Sequence, residues 1–506
     1  MSTSPERPRL GLVSLGCDKN TVDSERMLAA LVGHGAERVS DLAEADIILV
    51  NTCGFIDAAK EESIETLIEA GRLKREGRCR SVVAVGCMVE RYRDELAPAL
   101  PEVDLLLGLR DLDRLVPELV DRGLLDAGSG AGPHPGERLP LGSRHVSYLK
   151  VSEGCDHGCA FCAIPLWRGR HRSFPLDRLV AETRRLEAQG AVEVNLVAQD
   201  LAHYGRDLRD GTGIARLVDA LLRETSVPWL RLLYIYSAGL RPALVELMAR
   251  EPRLLPYIDM PIQHASDTVL ERMRRPERRG RLAEKIAWLR ESIENLTLRT
   301  TVLVGFPGET EAEFRGLVDF LEETRFDRLG AFAFSPQDGT RAAAMEGERV
   351  PEDVARARLE EVLEVQRAVS AERLARAVGA RRAAILDDVA HPDDPVVEEL
   401  FPGREAVERG PGTRLYVGRI ESQADDVDGV TVLAGPAGLA PGTLVQATIR
   451  RAADFDLAGL IERVLRPAPP AAVDGAWGRP AVAGVAARGG RELPVLGLGL
   501  ETAWGK

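Results

Sequence analysis

The sequence predicts a multidomain α/β protein. Its parts are an amino-terminal open parallel α/β sheet, a central partial (β/α)6 barrel and a carboxy-terminal small antiparallel β-barrel. Three observations carry this. Near the amino end, apolar runs alternate with helical patterns. In the centre, six strand-like runs are each followed by a helix-capable segment. Beyond residue 379, short strand-like runs crowd together between Gly, Pro and Asp. At 506 residues and 45% hydrophobic, the chain can bury several cores.

The first region, 8–125, holds the runs Leu10–Leu15, Ile47–Val50 and Val82–Val85, with helical patterns including Val22–Val32 and Glu61–Arg75 between them. Each run is closed by a cysteine: Gly16-Cys17, Asn51-Thr52-Cys53 and Gly86-Cys87. The carboxyl edge of an open α/β sheet is where such folds bind ligands, so the three thiols are expected to converge. One such cysteine would read as a small buried hydrophobe. Three at the same structural place read as a three-thiolate metal site, with Cys17, Cys53 and Cys87 as ligands. Cys79, in the polar stretch Gly77-Arg78-Cys79-Arg80, has no such placement and reads as a bystander.

The Gly/Pro-rich stretch 126–144 reads as a linker. The central region, 145–372, follows with the runs His145–Ser152, Val192–Ala198, Trp229–Ile235, Tyr257–Ile262, Leu298–Gly305 and Asp327–Phe334. Repeated β–α units place chemistry at the carboxyl ends of the strands. Just past the first strand comes Gly154-Cys155-Asp156-His157-Gly158-Cys159-Ala160-Phe161-Cys162. A C-x3-C-x2-C loop supplies three thiolates, whereas structural zinc normally takes four ligands and a cuboidal iron–sulfur cluster has four irons. Cys155, Cys159 and Cys162 therefore leave one iron open for a small ligand. The alternative is a zinc knuckle completed by His157 or His171. Phe161, Gln199, Gly305 and Gly308 are candidate cofactor contacts at the barrel mouth, near Asp200, Gln263 and His264. Asp259 fits either that pocket or a satisfied polar position within a strand.

The charged amphipathic stretch Glu352–Ala377 reads as a helix packed on the barrel. It leads to a third region, 375–464, with an insert at 391–413, and then to a Pro/Gly/Ala-rich tail, 467–506, expected to be disordered. Residues 379–464 carry nine Lys/Arg against fifteen Asp/Glu, among them Asp393, Asp394, Asp425 and Asp426. Such a module suits a basic protein partner better than phosphates. The net charge of −13 likewise argues against a chain-wide grip on nucleic acid, and no stable nucleic-acid complex is expected. The first residues lack an apolar signal core and no run approaches a membrane span, so a cytoplasmic chain without membrane contact is expected.

Together these motifs resemble the radical S-adenosylmethionine (SAM) methylthiotransferases, which join an amino-terminal cluster domain, a radical SAM barrel and a TRAM domain. The likeness runs from Leu10 to about Glu462. Leu15-Gly16-Cys17-Asp18-Lys19-Asn20, Ser152-Glu153-Gly154-Cys155-Asp156-His157 and Tyr257–Asp267 look like the RimO-type branch, which modifies an aspartate of small-subunit ribosomal protein twelve. The resemblance implies two [4Fe–4S] clusters, SAM as cofactor and an electron donor of unstated identity. Cys155, Cys159 and Cys162 would hold the cluster that cleaves SAM and yields a radical able to take hydrogen from the aspartate β-carbon. The cluster on Cys17, Cys53 and Cys87 would supply sulfur, and a second SAM the methyl group. The alternatives are a tRNA adenosine 2-methylthiotransferase and a non-catalytic iron–sulfur or zinc scaffold that binds ribosomal components.

Overall fold

The computed structural model describes residues 7–126, 137–391, 394–401 and 412–470. The first region runs β1 (Arg9–Ser14), α1 (Asp18–Gly33), β2 (Glu37–Arg38), β3 (Ile47–Thr52), α2 (Asp57–Glu76), β4 (Ser81–Gly86), α3 (Cys87–Ala99), β5 (Leu105–Leu107) and α4 (Leu115–Asp121). All strands are parallel, in the order β2-β1-β3-β4-β5. The middle strands read as continuous apolar runs because helices cover both faces. On one face Leu10, Leu12, Ile47, Leu49, Val83 and Val85 meet Met27, Leu28 and Leu31 of α1. On the other, Val13, Ile48, Val50, Val82 and Ala84 meet Leu67 and Ala70 of α2. The strand order reverses between β1 and β3, the switch point at which open sheets leave a crevice.

Of the expected linker, 127–136 lies outside the described residues. The part that follows is a packed joint, because Arg138 is buried with its guanidinium 3.3 Å from Glu25 of α1 and 3.3 Å from Glu182 of the central region.

The central region comprises β6 (Val146–Lys150), β7 (Ser152–Glu153), α5 (Ile164–Trp167), β8 (Arg172–Ser173), α6 (Leu176–Ala188), β9 (Glu193–Val197), α7 (Ile214–Glu224), β10 (Trp229–Leu232), α8 (Pro242–Arg250), β11 (Leu254–Asp259), α9 (Asp267–Arg272), α10 (Arg279–Ser292), β12 (Thr297–Val304), α11 (Glu311–Thr324), β13 (Arg328–Ala333) and α12 (Glu352–Ala375). Six strands form one parallel sheet in sequential order, β6-β9-β10-β11-β12-β13, the partial barrel. Side chains alternate. Val194, Leu196, Leu230, Leu232, Ile258, Leu298 and Val302 face the helical shell. Glu193, Asn195, Arg231, Tyr257, Asp259 and Arg299 share the opposite, inner face, as the period of two requires. β11 ends earlier than the sequence suggested, since Pro261 has no N–H to offer the ladder.

The third region forms a closed barrel from β14 (Arg381–Val389), β15 (Thr413–Ile420), β16 (Thr431–Pro436), β17 (Leu444–Ala452) and β18 (Leu457–Arg466). Within the insert, α13 (Pro395–Leu400) is capped by Asp394, whose Oδ1 accepts from Val396 N–H at 3.0 Å. Asp393, residues 402–411 and the tail beyond 470 lie outside the described residues.

This barrel plugs the inner face of the central sheet. Ile385, Ala424 and Leu444 pack against Val197, Trp229 and Tyr257. Glu193 receives Arg231 at 2.8 Å and Arg419 at 2.7 Å, and Arg419 also binds Asp387 at 2.8 Å. Asp425, expected on a partner-facing acidic surface, instead points inward, 3.6 Å from Arg419. Burial pushes its carboxyl up to about 7. The buried guanidinium needs nearby carboxylates, and that need turns the partly buried Asp425 toward Arg419. Asp426 is exposed.

Candidate active site

Cys17 caps the amino end of α1, Cys53 follows β3 and Cys87 opens α3, so all three thiols stand on one edge of the sheet, at and beside its switch point. Gly16, at φ +86°, makes the approach possible: a Cβ there would lie 2.8 Å from the Cys53 sulfur. Asn20, one helical turn after Cys17, ties the edge together. Its amide donates to the carbonyls of Leu15 (2.9 Å) and Thr52 (3.2 Å), and its Oδ1 lies 3.7 Å from the Cys87 sulfur. Burial among like thiols pushes Cys53 up to about 12 and Cys87 up to about 11. Cys79 is buried at the opposite end of β4, its sulfur 3.4 Å from the Ser81 carbonyl, and takes no part.

The second thiol set lies in the loop after β6 and β7. Cys155 N–H donates to the Gly169 carbonyl at 3.1 Å and His157 N–H to the Cys155 sulfur at 3.4 Å. Ala160 is pinned between Met273 O and Ala342 N, each at 2.9 Å. The Cys159 sulfur lies 3.1 Å from the Tyr236 hydroxyl. Burial pushes Cys155 up to about 11 and Cys162 up to about 12. Thiols so placed hold their protons until a cation replaces them, which suits a metal cluster. All seven cysteines are free.

The two histidines named for a zinc knuckle each have a hydrogen-bond partner at Nε2. His157 Nε2 meets Asp200 at 2.8 Å while its ring stacks on Tyr236 at 4.0 Å. His171 Nε2 meets Ser173 Oγ at 3.0 Å. His157, Asp200 and His203 do group closely enough to hold an ion. Burial holds the His203 ring down at about 4.

The short helix α5, immediately after Cys162, joins the two thiol sets. Ala163 and Trp167 pack on Cys87. Arg168 then reaches Asn20 Oδ1 (2.5 Å), Glu153 (2.9 Å) and Asp23 (3.4 Å). Lys150 completes this buried network through Asp23 and through Glu153 at 2.7 Å. Lys150 and Arg168 hold the Glu153 carboxyl below its ordinary range. Sequence reasoning missed Arg168, Tyr236 and the linking role of Asn20. Only the i+3 spacing of Asn20 from Cys17 offered a signal.

The other candidate cofactor contacts divide. Gln199 reaches the mouth, its Nε2 3.3 Å from Glu153 and its Oε1 buried without a partner among the described residues. Phe161 packs on Ala160, Met273 and Phe306 beneath the loop. Gly305 and Gly308, at φ +70° and +77°, are closely packed: a Cβ on Gly305 would press on Ala355 at 2.6 Å, and one on Gly308 would lie 2.8 Å from a Glu348 carboxylate oxygen. Gln263 extends the sheet through a bridge to Val302. His264 accepts from Ser266 N–H at 2.9 Å, and burial pushes its ring down to about 3. Asp259 is a satisfied strand residue, 3.0 Å from Arg299.

A partial parallel barrel with a three-thiol loop at its mouth, joined to a second three-thiol sheet edge, defines a radical SAM methylthiotransferase. Family models agree: the Uncharacterized protein family UPF0004 matches residues 9–108, the Radical SAM superfamily 149–321 and the TRAM domain 405–461. A "Ribosomal protein uS12 methylthiotransferase RimO" from Anaeromyxobacter sp. (strain Fw109-5) is 42% identical over 97% of this chain and 99% of its own. One of the same description from Desulforudis audaxviator (strain MP104C) is 45% identical over 89% of this chain and 96% of its own. Among solved structures, the radical SAM methyltransferase TsrM from Kitasatospora setae aligns with a TM-score of 0.48 at 16% identity, over 79% of this chain and 81% of that one. The chain belongs to the RimO family of methylthiotransferases. Its cofactors are SAM and [4Fe–4S] clusters. Among the described residues no helix is long and apolar enough to cross a membrane.

Proposed function

We propose that this chain adds a methylthio group to the β-carbon of an aspartate in ribosomal protein uS12. In this reading one cluster sits on Cys155, Cys159 and Cys162 and the other on Cys17, Cys53 and Cys87. The working units are 8–125, 145–372 and 375–464. The observation that carries the reading is the α5 bridge: the residues that follow Cys162 pack on Cys87 and bond to Asn20, which supports two neighbouring clusters working in sequence. When bound, the clusters and SAM supply the one-electron and radical chemistry that an unactivated C–H bond demands.

The chain's own residues position and protect. Tyr236 and the backbone N–H of His157 stabilise thiolate sulfurs on the loop, while Asp200 fixes the His157 ring. In this reading Gln199, Phe161, Gly305 and Gly308 would border the space that SAM occupies. The Arg168–Glu153–Lys150–Asp23 network fixes the spacing of the two sites, and the third domain closes the inner face of the sheet against water. The test is mass spectrometry of uS12 after anaerobic incubation with the reconstituted chain, SAM, sulfide and a reductant. A methylthio mass increment on one aspartate supports the reading. Unmodified uS12 beside active SAM cleavage overturns it.

A further inference from the structure

We propose that Lys19 holds the carboxylate of the target aspartate and so places its β-carbon beside the sulfur-supplying site; this rests on the function proposed above. Lys19 is the second residue of α1, two positions after Cys17, and is 7% exposed. Its ammonium stands 3.4 Å above the centre of the Tyr234 ring and 3.0 Å from Oδ1 of Asp18. The other oxygen, Asp18 Oδ2, is buried without a hydrogen-bond partner among the described residues. An ammonium has three donors. One is spent on Asp18 and one face lies on the aromatic ring, which leaves donor capacity for an incoming acceptor.

Tyr234 is held for this contact. Its backbone takes the left-handed conformation at φ +62°, which a bulky residue seldom adopts, and its N–H donates to Asp259 Oδ2 at 3.1 Å. Strain of this kind persists where the surroundings over-determine it, and it concentrates at ligand-binding positions. Tyr234 follows β10 at the carboxyl edge of the central sheet, so the Lys19–Tyr234 contact lies where the first domain meets the barrel mouth.

The other cations nearby are committed. Arg168 donates to Asn20, Glu153 and Asp23. Arg299 is paired with Asp259. Arg275 donates to the Pro261 carbonyl at 2.7 Å and to Glu277 at 3.1 Å, with Tyr236 beneath it. Among the described residues the Lys19 ammonium is ion-paired only with the carboxylate of its own sequence neighbour, an internal occupant that a substrate carboxylate can join or displace. In an aspartate the carboxylate is bonded directly to the β-carbon, so fixing one fixes the other. Lys19 therefore selects a carboxylate over a neutral amide of the same shape.

The test uses the full-length, cluster-loaded chain with SAM and no reductant, and measures the affinity of uS12 and of uS12 with its target aspartate replaced by asparagine. The wild-type chain should bind the aspartate form roughly tenfold or more tightly, the size of one charge-assisted hydrogen bond. Lys19→Met should bring that ratio to about one, and Lys19→Arg, which keeps the charge, should restore it. A wild-type ratio near one overturns the inference, as does a wild-type ratio surviving in Lys19→Met. If Lys19→Met fails to load its clusters, Asp18→Asn decides: removal of the internal occupant should raise the ratio, and an unchanged or lower ratio overturns the inference. Wild-type methylthiolation of uS12, read by mass, keeps the two claims apart. Modified uS12 with a ratio insensitive to residues 18 and 19 sinks only the role of Lys19, whereas unmodified uS12 sinks the underlying function.

Discussion

The two thiol sites are built in opposite ways. Cys155, Cys159 and Cys162 share one short loop whose shape is set by local backbone bonds and by clamps at Gly169, Met273 and Ala342. Cys17, Cys53 and Cys87 come from three separate strand ends, and only the folded parallel sheet brings them together. The first site is a property of a peptide held on a scaffold; the second is a property of the scaffold itself. The loop keeps its shape only while its clamps hold, whereas the sheet edge keeps its groups at the separation that strand pairing sets.

The largest expected effect comes from replacing Cys155, Cys159 and Cys162 together with Ala. Iron should fall from about eight to about four per chain after anaerobic reconstitution, counting four per cuboidal cluster, and reductive SAM cleavage should vanish. The measurements are an iron assay and chromatography of 5′-deoxyadenosine. Cleavage that survives in this variant would mean the loop is not where SAM is activated.

Replacing Cys17, Cys53 and Cys87 with Ala should remove the same amount of iron but leave 5′-deoxyadenosine formation measurable while methylthiolation disappears. If instead both activities vanish in a folded chain that keeps its loop cluster, the two sites do not divide the labour as proposed.

The same contrast governs what could be read in the sequence. The loop site is visible as a spacing because its geometry is local. The strand-end site is visible only through the fold, since apolar runs closed by cysteines had first to be read as parallel strands. Arg168 and Tyr236 escaped because their partners, Asn20 and Cys159, lie 148 and 77 positions away along the chain. No period or motif encodes such a meeting. Asp425 was misplaced because a charge count along the chain cannot tell a solvated carboxylate from one turned toward a buried arginine.

A third experiment probes how far the loop site depends on its scaffold. Arg419→Met leaves Glu193 and Asp387 buried beside one fewer cation, and breaking such a pair costs about 3–5 kcal/mol. The loss falls on the joint between the third domain and the central sheet, away from the amino-terminal sheet with its separate cores. On mild heating, the variant should therefore lose iron from the loop site before the strand-end site, as resolved by iron loss beside the decline in SAM cleavage. Simultaneous loss from both sites would show that the domains melt as one unit.

The smallest effect is expected at Cys79, and it sharpens the contrast by showing that a cysteine in the same sheet is not enough. Cys79 packs among Ala45, Ile48 and Leu67 at the end of β4 away from the other thiols, and burial pushes its thiol above the ordinary range, so it behaves as a small apolar side chain. Cys79→Ala removes one buried atom and should cost about 1 kcal/mol or less, by analogy with the smallest core truncations. Iron content, SAM cleavage and methylthiolation should all match the wild-type chain within error. A drop in iron from this single change, in a chain that unfolds at the wild-type temperature, would make Cys79 a participant in the strand-end site and would redraw the boundary between structural and ligating cysteines in this sheet.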